Sequence, residues 1–205
     1  EEGLAEFCDA FVEQGAYSVD EARQIFTAAS QAGLGIKLHA DQLSDTGGGS
    51  LAAEFNAVSA EHLEYVNERG IMKMATAGTV AVSLPLASLY LGERFIPARK
   101  FLDAGVPVAI ATDFNPGSAP SWQLPLAMTL GCINQGMTPQ EDLTGATTVA
   151  ARAISRHDRV GSILPGFQAD LAIMDTPGLN HWLYHFVPNA CLAVMKKGKW
   201  AVNDL

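Results

Sequence analysis

Apolar positions along the chain alternate between short continuous runs and a three-to-four spacing, and that alternation sets out the elements. "GIKLHA" (35–40), "NAVSAEH" (56–62), "GTVAVSLP" (78–85) and "VPVAIATD" (106–113) are predicted as short buried strands. Between them "SLAAEFN", "VNERGIMKMATA" and "RFIPARKFLDAG" carry apolar residues at helical spacing. In the last of these Phe95, Ile96, Ala98, Leu102 and Ala104 mark one face and Gly105 is the stop. Upstream, "SVDEARQIFTAASQAG" is predicted as a helix with Ser18 at its cap, Glu21 completing a capping box and Gly33 ending it. Strand starts fall roughly 20 to 30 residues apart, the length of one strand plus a crossover helix. The pattern therefore predicts four successive βα units. Two further helices follow, "SWQLPLAMTLGCINQG" and "TPQEDLTGATTVAARAISR", the second capped by Thr138 with Pro139 at its first position. A closed (β/α)₈ barrel takes about 250 residues, so four units amount to half of one.

The tail breaks this rhythm. "GSILPGFQADLAIMD" (161–175) and "ACLAVMKKGKWAVND" (190–204) are predicted as strand–turn–strand segments around Pro-Gly and Lys-Gly turns. The expected division is residues 1–159 as the barrel half and 160–205 as a small β appendage.

Composition narrows the classes. A chain of 205 residues with 48% hydrophobic and only 17% charged residues has the makeup of a folded domain rather than a disordered one. Its net charge of −9, with 13 scattered Lys and Arg residues, argues against nucleic acid and against an anionic membrane surface as partner. Cys8, Cys132 and Cys191 are odd in number and lack CxxC spacing. They suit a reducing, cytoplasmic setting and argue against a disulfide scaffold or a thiolate zinc site. No apolar run approaches the roughly 18 residues of a membrane span, and no signal peptide is visible. The chain opens on "EEGLAEFCDAF", without Met, and enters patterned sequence at once, the expected look of a piece of a longer chain.

In βα units chemistry belongs at the carboxyl ends of the strands. His39, His62 and Asp113 stand at three such ends. Singly, each has a plain structural reading: a satisfied core histidine, a helix-start histidine and an Asx-turn aspartate. Three coincidences at equivalent positions favour a site able to bind a divalent metal or transfer a proton. Asp41 would share a strand face with His39 if the strand continues that far. His157 is expected to be solvated, and His181 and His185 to lie on a loop of the appendage. After Asp113, "FNPGSAPSWQL" predicts a Pro-Gly turn with Ser118 capping the next helix, whose free amides would hold an anion.

"KLHADQLSDTGGGSLAAEFNAVSAEHLEY", "AGTVAVSLP", "GVPVAIATDFNPGSAP" and "GSILPGFQADLAIMD" resemble the imidazolonepropionase family of the amidohydrolase superfamily, from about Phe7 to Asn203. The last motif is common to the superfamily; "HADQ", "SAEHLEY" and "ATDFNPGS" carry the family-level signal. The resemblance implies the second half of a metal-dependent (β/α)₈ barrel plus part of a composite β domain. It implies hydrolysis of the ring amide of 4-imidazolone-5-propanoate, a small anionic substrate, to N-formimidoyl-L-glutamate in histidine degradation, with one Zn²⁺ or Fe ion. It makes His39 and Asp113 metal ligands and His62 the histidine beside the metal. Gln42, Asn115, Gly117 and Ser118 become substrate contacts, with the glycines after Gln42 letting the loop pass close over the pocket.

The departures are also informative. No two of the five histidines are two apart, so the HxH ligand pair is absent. With it go the first four strands and the arginine that would grip the propionate, leaving the N-terminal half of the enzyme as the partner this chain requires. Some members carry Glu where Gln42 stands; an amide cannot take a proton, so proton transfer falls to Asp113, His62 or Asp41. Asp113 is favoured as base, with His62 steadying the oxyanion. Competing readings are another cyclic-amide hydrolase or aminohydrolase of the superfamily and a non-catalytic half-barrel. A homodimer is expected by analogy alone.

Overall fold

A computed structural model describes residues 3–186 and 189–204. Its parallel strands are present where the apolar runs lie, the run at 35–40 over its full length and the other three over shorter stretches. β1 (Phe7–Cys8) and β2 (Phe11–Val12) both pair with β3 (Gly35–Ala40), which is followed across the sheet by β4 (Ser59–His62), β5 (Val80–Ser83) and β6 (Val108–Ile110). Every pairing in this sheet is parallel. The crossovers carry α1 (Val19–Gln31), α2 (Gly48–Glu54), α3 (Glu68–Ala77), α4 (Pro85–Leu91) and α5 (Ala98–Asp103). α6 (Leu124–Gln135), α7 (Pro139–Thr144) and α8 (Ala150–Ala153) come next, and α9 (Leu179–Tyr184) follows β7 (Leu171–Met174). β8 (Cys191–Lys196) and β9 (Lys199–Asn203) complete a three-stranded antiparallel sheet with β7. Among the described residues no helix is long and apolar enough to cross a membrane.

The local signals that held are the capped ones. Ser18 and Glu21 form the reciprocal capping box of α1, and Thr138 and Glu141 do the same for α7 with Pro139 in its first turn. Gly33 and Gly105 follow their helices at φ 79° and 82°, a conformation that glycine adopts without strain.

Several expectations need correction. A strand precedes α1: Phe7 pairs with Gly35, Cys8 with Ile36, Phe11 with His39 and Val12 with Ala40, one continuous register interrupted at Asp9–Ala10. The sheet thus has five parallel positions rather than four, and an eight-stranded barrel would lack three strands, not four. Two-residue pieces separated by an aspartate leave no run for periodicity to detect. α5 begins only at Ala98, because Pro97 occupies its cap, so Phe95 and Ile96 precede the helix. α4 was not anticipated, although Pro85 at its start and Gly92 in the left-handed conformation at its end are ordinary helix punctuation.

The long helix expected from Thr138 is broken by a π-helical stretch, Gly145–Val149. There Thr147 donates to the Leu143 carbonyl (2.6 Å) and Thr148 to the Thr144 carbonyl (3.3 Å), back-bonding that perturbs a helical ladder. In the tail, 161–170 form turns and bends rather than a strand before the Pro-Gly, and only Leu171–Met174 pairs. His181 lies in α9 and His185 is its C-cap, not on a loop.

Burial along β3 alternates. Ile36, Leu38 and Ala40 are buried against the helices, with Phe26, Leu51 and Ala52 in the same core. Gly35, Lys37 and His39 point to the other face, which is only partly covered. That concave face carries the polar chemistry.

Candidate active site at the strand carboxyl ends

The β3–β4 register puts Lys37 opposite Ser59 and His39 opposite Glu61. Neighbours in register on parallel strands share a face, so these four side chains form two polar layers on the concave side. Glu61 Oε1 accepts from Ser59 Oγ at 2.6 Å and pairs with Lys37 Nζ at 2.8 Å, while Lys37 also donates to Ser59 Oγ and to the Ala153 carbonyl.

His62 pairs in register with Ala40, which faces the helices. Plain alternation would send the histidine the same way. Instead its φ is 74° and that of Leu63 is 67°, left-handed values that turn the chain at the strand end. The His62 ring comes to 5.4 Å of the His39 ring, centroid to centroid. Asp113 lies three residues beyond β6 at φ 53°, so it reaches the site from a turn rather than from the strand expected to run to it.

One ligand atom from each of His39, His62 and Asp113 lies within 4.8 Å of the other two. Two imidazoles and a carboxylate are a donor set that suits a divalent ion such as zinc. His62 is 3% exposed, and its Nδ1 has no hydrogen-bond partner among the described residues. The nearest carboxylate is that of Glu64, 3.8 Å away and itself buried, with Ser88 Oγ donating to its Oε1 at 2.9 Å. His39 differs: Asp9 Oδ2 lies 2.9 Å from its Nδ1, and that hydrogen bond raises the imidazole pKa against the opposing effect of burial.

Other residues singled out in the sequence have different roles. Asp41 does not share His39's face, because β3 ends at Ala40 and Asp41 takes φ 51°. It is fully buried, and it accepts from Thr46 N (2.9 Å), Thr46 Oγ1 (2.9 Å), Gly48 N (3.0 Å) and Gly49 N (2.9 Å). It ties down the glycine loop. Gln42, next to it, is half-buried. Ser118 does not cap a helix, since α6 begins at Leu124 with Gln123 at its cap. The Gly117 and Ser118 amides both donate to Asn115 Oδ1 at 2.8 Å, and Asn115 Nδ2 donates to the Asp113 carbonyl at 2.7 Å. The loop closes on its own asparagine, a local side-chain bond that competes with helix capping and uses the amides expected for an anion. His157 is exposed, as expected.

Sequence reasoning passed over Asp9, Lys37, Glu61 and Glu64. The period-two spacing of Lys37 with His39 was a usable signal for Lys37; nothing in "EFCDAFV" singles out Asp9. A surface groove of about 630 Å³ between α2 and α3, lined by residues such as Arg69, Met72 and Lys73, shares no residue with this cluster.

A model described as "Amidohydrolase family" matches residues 10–201. The chain belongs to the amidohydrolase family. Among curated relatives of this amidohydrolase, imidazolonepropionase from Geobacillus kaustophilus is 46% identical over 202 residues, covering 98% of the chain and 48% of the relative. Imidazolonepropionase from Fusobacterium nucleatum is 44% identical, covering 97% of the chain and 48% of the relative. The chain thus spans about half the length of the curated relatives it matches. Among solved structures, an adenosine deaminase from Xanthomonas campestris with bound zinc superposes at TM-score 0.79 with 22% identity, covering 96% of this chain and 51% of that one. A 5-methylcytosine deaminase from Klebsiella pneumoniae gives TM-score 0.81 at 17% identity, over 98% of this chain and 57% of that one. These two establish likeness of fold.

Proposed function

We propose that this chain is the C-terminal half of an imidazolonepropionase. On this reading it works with the remaining strands of the barrel to hydrolyse the ring amide of 4-imidazolone-5-propanoate, giving N-formimidoyl-L-glutamate. The observation that carries the reading is the convergence of His39, His62 and Asp113 within 4.8 Å at the strand ends of a chain 46% identical to such an enzyme along nearly its whole length. The deaminase-like structures are far more distant in sequence, so they favour no nucleobase.

His39 and Asp113 would hold a divalent metal, Zn²⁺ or Fe, with His62 beside it. When bound, such an ion supplies Lewis acidity toward water and the ring carbonyl. Asp113 takes the proton of the attacking water and delivers it to the ring nitrogen as the C–N bond breaks. His62, held by the left-handed turn, donates to the carbonyl oxygen as negative charge develops there. Gln42, an amide, hydrogen-bonds the substrate and moves no proton. Asn115, Gly117 and Ser118 wall the ring and its carboxylate end. With the Gly117 and Ser118 amides already donated to Asn115, the propionate's charge is assigned to a cation from the rest of the barrel.

The test uses the polypeptide that carries this chain within the whole barrel. His39→Ala should strip most of the bound metal on elemental analysis. Asp113→Asn should lower kcat for ring opening by about 10²- to 10⁴-fold. Gln42→Ala should cost about 2- to 13-fold in kcat/KM, the worth of one neutral hydrogen bond of roughly 0.5–1.5 kcal/mol. Full metal occupancy in His39→Ala, or near-normal kcat in Asp113→Asn with activity abolished in Gln42→Ala, would overturn the assignment.

A further inference from the structure

The interruption between β1 and β2 falls at a residue that faces the site. Phe7 to Val12 keep one register against β3, so Asp9 falls opposite Lys37 and Phe11 opposite His39. Ala10 and Val12 are buried toward the helices, whereas Asp9 and Phe11 are exposed on the concave side with Lys37 and His39. Asp9 therefore stands one strand over from His39 and one layer toward the start of the strand. From there its carboxylate reaches Nδ1 at 2.9 Å.

Resting on the reading of His39 as a metal ligand, we propose that Asp9 is the positioning residue for that ligand. A neutral imidazole can carry its proton on either nitrogen, and the partner of one nitrogen decides which lone pair is free. An acceptor at Nδ1 keeps the proton there and leaves Nε2 as the electron-pair donor. A carboxylate in that place also fixes the ring plane and raises the ligand's basicity.

Glu61 faces the same ring but makes no ion pair with it: its Oε1 is bound by Ser59 and Lys37, and its Oε2 has no partner among the described residues. The proximity of Asp9, His39 and Glu61 within 4.8 Å does not amount to a second cation site, since the Lys37 ammonium already supplies the positive charge beside Glu61. His62 supplies the contrast, since its Nδ1 has no partner among the described residues. Of the two histidines of the cluster, His39 is the one with a carboxylate within hydrogen-bonding distance of its Nδ1.

The experiment again uses the polypeptide carrying the whole barrel, with Asp9→Ala, Asp9→Asn and His39→Ala variants. Two quantities are read: the ring ¹⁵N shifts of His39 in metal-free protein at a pH where the ring is neutral, and the Kd for Zn²⁺ by competition with a chromophoric chelator. Asp9→Ala should lose the uniform Nδ1–H tautomer and weaken zinc binding by about 10- to 100-fold. Asp9→Asn keeps an acceptor oxygen, so the tautomer should persist and affinity should fall less. The Asp9 side chain is 40% exposed, so neither change should disturb folding, and circular dichroism checks that. An unchanged tautomer, or parental zinc affinity in Asp9→Ala while His39→Ala loses zinc, overturns the role of Asp9 alone. Parental zinc affinity in His39→Ala overturns the metal reading and this inference with it.

Discussion

Asp142→Asn should remove a pH dependence of stability that the parent chain carries. Asp142 lies in α7 with no solvent exposure, facing α6, where Cys132 Sγ donates to its Oδ2 at 2.7 Å. Its Oδ1 has no partner among the described residues, and a Cβ added at Gly131 would stand 2.2 Å from that oxygen, so the α6 backbone closes directly over the carboxyl. Burial pushes the pKa from 3.8 up to about 7, with the Glu141 charge adding to the rise and the Cys132 bond opposing it. The folded state thus keeps a proton that the unfolded chain releases above pH 3.8. The contribution of Asp142 to stability is highest below that value, falls as pH rises and levels off above about 7. At roughly 1.4 kcal/mol per pH unit the whole effect has a ceiling of about 4 kcal/mol, and the part between pH 5 and 8 is about 2–3 kcal/mol. The assay is urea unfolding of parent and variant across that range. The variant has a constant cost of its own, for an amide in a thiol-lined niche, which cancels when the parent–variant difference at pH 5 is subtracted from that at pH 8. Parallel stability curves, diverging by less than about 0.5 kcal/mol over the range, would refute the assignment of a neutral buried carboxyl.

Two further changes probe the loop that follows β3. Asp41→Ala removes the acceptor of four hydrogen bonds and should cost about 3–5 kcal/mol in chemical denaturation, with Asp41→Asn falling between it and the parent; a loss below about 1 kcal/mol would show the loop is held otherwise. Gly49→Ala places a Cβ 2.7 Å from Val66 Cγ2 and should cost about 1–3 kcal/mol, with Val66→Ala recovering part of it in a double-mutant cycle; strictly additive losses would contradict the contact.

What could be read from the sequence was local. Ser18 with Glu21 and Thr138 with Glu141 specify their caps within four residues, so those helix starts were visible before any tertiary contact. β3 was legible because six residues alternate cleanly, and His39 was legible with it. Asp9 was not, because its strand is two residues on either side of a break and owes its place to pairing with a segment about 28 residues away. The Ser118 cap failed because Ser118 turns back onto the Asn115 side chain, Pro120 has no amide hydrogen to offer it, and the Ser121 amide donates to the Ala119 carbonyl instead. The tail strand before the Pro-Gly failed in a similar way: apolar letters at Ile163 and Leu164 remain exposed at 87% and 55%, and no neighbouring strand pairs with them.

The geometry that matters most sits where periodicity is silent. Asp41, His62 and Asp113 each follow or end a strand, and each takes a left-handed φ, 51°, 74° and 53°, although none is glycine. Such a conformation costs roughly 1–3 kcal/mol and persists only where surrounding bonds over-determine it. Those bonds are visible here. The Leu63 amide donates to the Ala40 carbonyl at 3.0 Å and the Tyr65 amide to the Asp41 carbonyl at 2.8 Å, locking the turn after β4 onto the end of β3. Asn115 Nδ2 holds the Asp113 carbonyl from the other side of the cluster. A strand pattern can say that His62 ends a strand, but pairing with Ala40 would by itself send the ring to the helices. The left-handed turn, held by its neighbours, returns it to His39, so the hydrogen bonds around Asp41 and Asn115 are as much a part of the site as the residues that would touch substrate.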